Sequence, residues 1–288
     1  MGNPLGDATV LPFAETKEAG MYVTLLGTMG WMPSDRRETT SFLCHDERSL
    51  FILDAGTGLR RLLEAPQAAL LEGRDEVHIF LTHFHLDHVC GLAYLPGVLP
   101  GRRLVIHAAE KAVTGVDPER AVAGLLRKPY NPRDWEDLED IRVQTLAAGA
   151  NEVAGHTVGV RAQQHSDTSV AYRFDDELVL ATDTCADPDT AEFAAGVKVL
   201  LHEAWYNGGD PLTSAAPSEL HPGYAAHSEA GAVGRVAASA GAGRLVLMHL
   251  NPLHDETYHQ RMAAAARAEF AKTELHPDGT VLDTGAAV

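Results

Sequence analysis

The chain has 288 residues, 45% of them hydrophobic, with 23 Lys+Arg against 40 Asp+Glu and a formal net charge of −17. That is an ordinary globular composition, large enough to build a core without disulfide staples. The acidic balance argues against a broad nucleic-acid footprint, because phosphate backbones repel such a surface. Cys44, Cys90 and Cys185 are odd in number and lack C-x-x-C spacing, which points to a reducing compartment. No apolar run is long enough to span a bilayer and no basic-then-apolar leader opens the chain, so the expectation is a cytoplasmic protein without a membrane partner.

Residues 1–20 show no periodicity and are predicted to be a poorly ordered tail, with one domain over 21–288. Strands are predicted at 21–27, 39–45 and 49–54, the last two separated by a polar turn at 46–48. Residues 56–71 have a helical pattern. The apolar run 76–82 reads as a buried strand that ends at a histidine cluster, and 103–107 as another strand. Residues 111–150 carry Pro118, Pro129 and Pro132, a charged stretch and the aromatics Tyr130 and Trp135, and read as a helical excursion, either a lid or a surface connection. Strands resume at 157–163, 169–174 and 177–182, the last two joined as a hairpin by Asp175-Asp176, and again at 197–201. Helices over 228–240 and 258–270 flank a strand at 244–248, and 280–283 closes the series. Hairpin blocks in both halves with helices between them predict an α/β fold, two mixed sheets with helices outside.

The strongest local signal is Thr82-His83-Phe84-His85-Leu86-Asp87-His88, directly after an apolar strand. A strand delivers the chain to a sheet edge, and a tight loop there turns several side chains inward. Imidazole and carboxylate together suit zinc or another first-row metal. His165, Asp183 and His249 stand at the ends of other predicted strands, where polar side chains converge on sites.

The pattern His83-x-His85-x-Asp87-His88, then His165, Asp183 and His249, resembles the metallo-β-lactamase superfamily. The closer resemblance is to its ribonuclease Z-like, phosphodiesterase branch. Leu25-Leu26-Gly27-Thr28, Leu53-Asp54-Ala55-Gly56, Leu201-His202-Glu203-Ala204, Ala226-His227-Ser228-Glu229-Ala230 and Met248-His249-Leu250-Asn251-Pro252 fall in that branch's order. The resemblance implies an αββα sandwich and two zinc ions, with manganese or iron as alternatives. It implies that His83, His85 and His165 hold one ion, Asp87, His88 and His249 the other, and that Asp183 bridges them. A hydroxide between the metals would be the nucleophile, with Asp87 orienting or deprotonating the water. His227 resembles the branch's catalytic histidine and Glu203 the acid that orients it. Ser228 is the expected N-cap of the following helix.

The tRNA-trimming enzymes of this branch carry a protruding arm between the third ligand and the bridging aspartate. Here His165 and Asp183 are 18 positions apart, already filled by one hairpin. The expectation is therefore a small, anionic phosphodiester substrate and no large nucleic acid. tRNA 3′-end cleavage and hydrolysis of lactones, thioesters, β-lactams or sulfate esters are the alternatives. A lactonase would want a tyrosine soon after Asp183, and Thr184-Cys185-Ala186 offers none. Trp31, Trp205 and Tyr224 are candidates to stack on a substrate ring, against ordinary packing of loop residues. A homodimer is common in the resembling branch and is carried as an expectation only.

Overall fold

Successive strand residues face opposite sides of a sheet, and in this chain both sides are apolar. In the computed structural model, which describes residues 20–209 and 226–286, Phe51 and Leu53 join one core cluster while Leu50 and Ile52 join another. Val199 and Leu201 likewise face inward while Leu200 faces outward. A sheet buried on both faces must be covered twice, and this dictates four layers.

The first sheet has the order β14-β1-β2-β3-β4-β5-β6. Its strands are β1 (Tyr22–Gly27), β2 (Ser41–His45), β3 (Leu50–Leu53), β4 (Glu76–Leu81), β5 (Arg103–Ala109), β6 (Ile141–Leu146) and β14 (Val281–Asp283). The second has the order β13-β12-β11-β10-β9-β8-β7. It comprises β7 (Gly149–Val153), β8 (His156–Gln163), β9 (Ser169–Phe174), β10 (Leu178–Ala181), β11 (Val199–Glu203), β12 (Arg244–Met248) and β13 (Thr273–Glu274). Both are mixed: β14 to β3 and β7 to β10 pair antiparallel, β3 to β6 and β10 to β13 parallel. Phe42, Phe51, Phe80, Tyr172 and Phe174 fill the space between the sheets. The helices Ala230–Ala240 and Glu256–Glu269 cover the outer face of the second sheet through Val233, Val236 and Met262. The result is the expected αββα sandwich.

Two expectations need correction, and one, the helical run 56–71, holds in two pieces. The excursion ends earlier than predicted: helices Lys111–Thr114 and Pro118–Leu125 are followed by β6 and β7, one at the edge of each sheet. Gly149–Val153 (GANEV) faces solvent at its edge and carries no apolar alternation, whereas Ile141–Leu146 (IRVQTL) does alternate, with Ile141 and Val143 packed against the core. The helical run 56–71 is a 3-10 helix, Thr57–Leu63, and a short α-helix, Ala65–Leu70, with Pro66 at its start. The N-cap of Ala230–Ala240 is Glu229, which accepts from the Gly231 and Ala232 N–H groups, while Ser228 donates its hydroxyl to the Thr184 carbonyl at 2.6 Å. The tail predicted for 1–20 lies almost wholly outside the described residues.

At the end of the sandwich formed by the β2–β3, β7–β8 and β9–β10 turns, a polar clamp joins the two sheets. His156 is buried, receives or donates a hydrogen bond at 2.9 Å with Ser49 Oγ through Nε2, and bonds Asp175 Oδ2 at 2.9 Å through Nδ1. Arg48 of the first sheet reaches the Gly155 carbonyl and Asp175 of the second at 2.8 and 2.9 Å. Among the described residues no helix is long and apolar enough to cross a membrane.

Candidate metal centre

Parallel neighbours end at the same side of a sheet. β10, β11 and β12 run in parallel register, Ala181 beside His202 and Glu203 beside Met248. Asp183, Glu203 and His249 therefore leave the second sheet side by side. β4 delivers the His83–His88 loop from the first sheet to the same end, and His165 follows β8. The fold alone thus gathers segments up to 166 residues apart, from His83 to His249.

Each Asp183 oxygen faces a different group. Oδ1 lies 3.3 Å from His165 Nε2 and 3.8 Å from His83 Nε2. Oδ2 lies 3.0 Å from His88 Nε2 and 3.1 Å from His249 Nε2. His85 presents Nδ1 to His165 Nε2 at 3.4 Å, and Asp87 Oδ2 lies 3.3 Å from both His88 and His249. Ligand-capable atoms of His83, His85, His165 and Asp183, and of Asp87, His88 and His249, fall within 4.8 Å of one another in two sets. The structure brings together all seven residues expected as ligands.

The donor set fits divalent metal. His83 Nε2 is buried and has no hydrogen-bond partner, a costly state unless a cation takes its lone pair. His88 Nδ1 is held by Asp54 Oδ2 at 2.8 Å and His165 Nδ1 by the Ala226 carbonyl at 3.0 Å. Such partners leave the opposite ring nitrogen free to ligate. Burial would raise the Asp183 carboxyl, but His249, His88 and His83 hold it well below the usual range, and Asp87 is held down by His88 and His249. Burial keeps His83 neutral. Burial would lower His88 too, yet Asp183, Asp87 and Asp54 push it well up; a cation held in this cage would take the place of that proton.

Among the described residues, four of the six non-glycine positions with positive φ cluster here: Trp31 (59°), Asp54 (52°), Asp183 (50°) and His249 (50°). Such left-handed backbone is costly and persists where the surroundings enforce it. Gly30 is required at this point, because an added Cβ would lie 2.5 Å from Cε1 of His249.

His227 stands beside the cluster, its Nδ1 bonded to Glu203 Oε2 at 2.8 Å. Glu203 is fully buried and its other oxygen accepts the Thr184 N–H, next to Asp183. Burial pulls the His227 pKa down, but Glu203, then Asp183 and Asp87, carry it above the ordinary value.

Of the expected stacking residues, Trp31 is 60% exposed at the rim, its backbone N–H donating to Asp87 Oδ2 at 2.6 Å. Trp205 does not offer a free face: it is 6% exposed and stacks on His227 with ring centroids 4.2 Å apart. It packs the catalytic-histidine candidate. Tyr224 lies outside the described residues. Asp54 was not among the expected site residues, yet it accepts from the Thr82 N–H and hydroxyl and from His88, each at 2.8 Å. Its signal was an aspartate at a strand end before Ala-Gly. Asp167, 3.2 Å from His85 Nε2, had no such signal.

A sequence profile of the Metallo-beta-lactamase superfamily matches residues 34–221, more than half of the chain. The chain belongs to that superfamily. It is a metal-dependent hydrolase, similar to the ribonucleases Z and BN. Ribonuclease Z of Methanothermobacter thermautotrophicus is 24% identical over 313 residues, covering 90% of this chain and 95% of that protein. Among solved structures, the metallo-β-lactamase fold protein YhfI from Bacillus subtilis superposes with a TM-score of 0.70 at 21% identity, covering 92% of this chain and 99% of that one. A diphosphatase of the PhnP family gives 0.64 at 21% identity, covering 91% and 97%.

Proposed function

We propose that this metallo-β-lactamase superfamily member is a dinuclear zinc phosphodiesterase acting on a small anionic substrate in the cytoplasm. The observation that carries the reading is Asp183, with one oxygen toward each histidine group. His83, His85 and His165 would hold one ion, Asp87, His88 and His249 the other. Two ions so held supply Lewis acidity, lowering the pKa of water toward neutrality and taking up charge on phosphoryl oxygens.

The chain's own groups do the rest. Asp87 has its Oδ2 fixed by the Trp31 N–H, so its carboxylate is placed to orient an attacking water. His227 presents Nε2 while Glu203 fixes Nδ1, the arrangement that keeps a proton ready for a departing alkoxide. Trp205 covers the ring and excludes water from one face. Glu203 ties His227 and the Asp183 loop together through its two oxygens.

The test is hydrolysis of bis(p-nitrophenyl) phosphate with and without chelator, beside zinc analysis. Chelator-sensitive turnover with two zinc per chain supports the reading; metal-loaded protein inert on a phosphodiester panel overturns it. The second reading is tRNA 3′-end cleavage, favoured by the relative named Ribonuclease Z. Against it, the β9–β10 hairpin fills the interval from His165 to Asp183, and the net charge is −17. A precursor-tRNA cleavage assay separates the two.

A further inference from the structure

A cavity of about 660 Å³ lies apart from the histidine cluster but is built from the same loops. One wall is the 3-10 helix Thr57–Leu63, which supplies Arg60 and Leu63. It starts at Gly56, where an added Cβ would sit 2.3 Å from the Asp87 carbonyl oxygen. A second wall follows His88 directly: the 3-10 helix Cys90–Tyr94 and the helix Leu95–Val98 supply Tyr94 and Val98. The third is residues 131–133 of the excursion, with Asn131 and Arg133. One wall thus continues from the metal-ligand loop, another packs against that loop at Gly56, and residues 131–133 complete the lining.

The lining is chemically selective. Its single carboxylate, Glu38, is already paired with Arg60 at 2.6 Å. Arg133 forms no ion pair among the described residues: the neighbouring Asp134 goes to Lys128, and although Arg133 also borders the adjoining groove that Asp137, Glu139 and Asp140 line, none of these carboxylates pairs with it. Asn131 is 5% exposed; its Oδ1 accepts the Arg133 N–H at 3.1 Å, and its side-chain amide donates to no described residue. The amide nitrogen is not a fully buried atom, so its N–H groups can meet an acceptor in the cavity it lines. An unpaired guanidinium and an idle amide recognise an oxyanion, and Leu63, Val98 and two prolines provide an apolar floor. The volume matches sites for nucleotide-sized molecules, roughly 300–1,000 Å³.

We propose that this cavity binds a phosphate ester with a ring-bearing body, of nucleoside monophosphate size, through Arg133 and Asn131. In the enzyme it holds the part of the substrate remote from the scissile bond, an assignment that rests on the phosphodiesterase reading. The ligand class itself does not rest on it.

The experiment is calorimetric titration of the zinc-loaded full chain with adenosine 5′-monophosphate and, separately, with inorganic phosphate. Adenosine monophosphate should bind at least about tenfold tighter than phosphate, and Arg133→Glu and Asn131→Leu should each weaken it at least about tenfold. Arg133 is exposed, so its substitution spares the fold. An adenosine monophosphate Kd unchanged in both variants, or no tighter than that of phosphate in the wild type, overturns the proposal. No turnover is read, so failure of the phosphodiesterase reading is seen separately in the hydrolysis assay.

Discussion

Replacing Glu203 by Gln isolates one charge at nearly constant shape. Gln keeps an oxygen for the Thr184 N–H but removes the anion 2.8 Å from His227 Nδ1. A hydrogen bond to a charged group is worth about 1.5–3 kcal/mol net, and one pKa unit is about 1.36 kcal/mol. The His227 pKa should therefore fall by about 1–2 units. With metals bound, Asp183 and Asp87 are spent on the ions, so Glu203 is the group that keeps His227 protonated. A general acid works in its protonated form, and rate is lost as pH rises through its pKa. The basic limb of kcat against pH should accordingly move about 1–2 units toward acid in the variant. The assay is bis(p-nitrophenyl) phosphate hydrolysis from pH 5.5 to 10 at saturating zinc. A lower kcat with an unmoved basic limb would refute the reasoning and leave Glu203 as a structural tie alone.

Further expectations follow from other contacts. Asp54→Ala should weaken zinc binding by about 10–100-fold, read by competition with a fluorescent chelator, because His88 loses the partner that fixes its ring. Gly30→Ala should drive the His249 ring aside and lower zinc from about two per chain toward one by elemental analysis, because that ring completes one ligand set. His156→Ala should cost about 2–4 kcal/mol in urea denaturation while zinc content stays at the wild-type level, since the clamp lies at the other end of the sheets. Zinc affinity should fall as pH drops, because the His88 proton, favoured by three carboxylates, competes with the ion; isothermal titration at pH 6 and 8 reads it.

Some of this was legible in the sequence for a physical reason. The His83–His88 motif is complete within six residues, so local spacing alone marked it. The central strands were equally plain, because burial on both faces leaves runs such as Leu178–Ala181 (LVLA) with no polar residue. The edge strand β7 was missed because solvent makes no such demand on it. Trp205 looked like a stacking surface because nothing in its neighbours shows that His227, 22 positions on, lies against its face.

By itself, then, the chain's sequence determined which side chains were capable of ligating and which strands would be central, since both depend on residue type and short-range pattern. Tertiary structure alone decided that Asp183 turns one oxygen to each histidine group, that Asp54 fastens the ligand loop, and that Arg133 lines a pocket near it. Those are distances across a sandwich, fixed by parallel register and packing between segments that no local pattern connects.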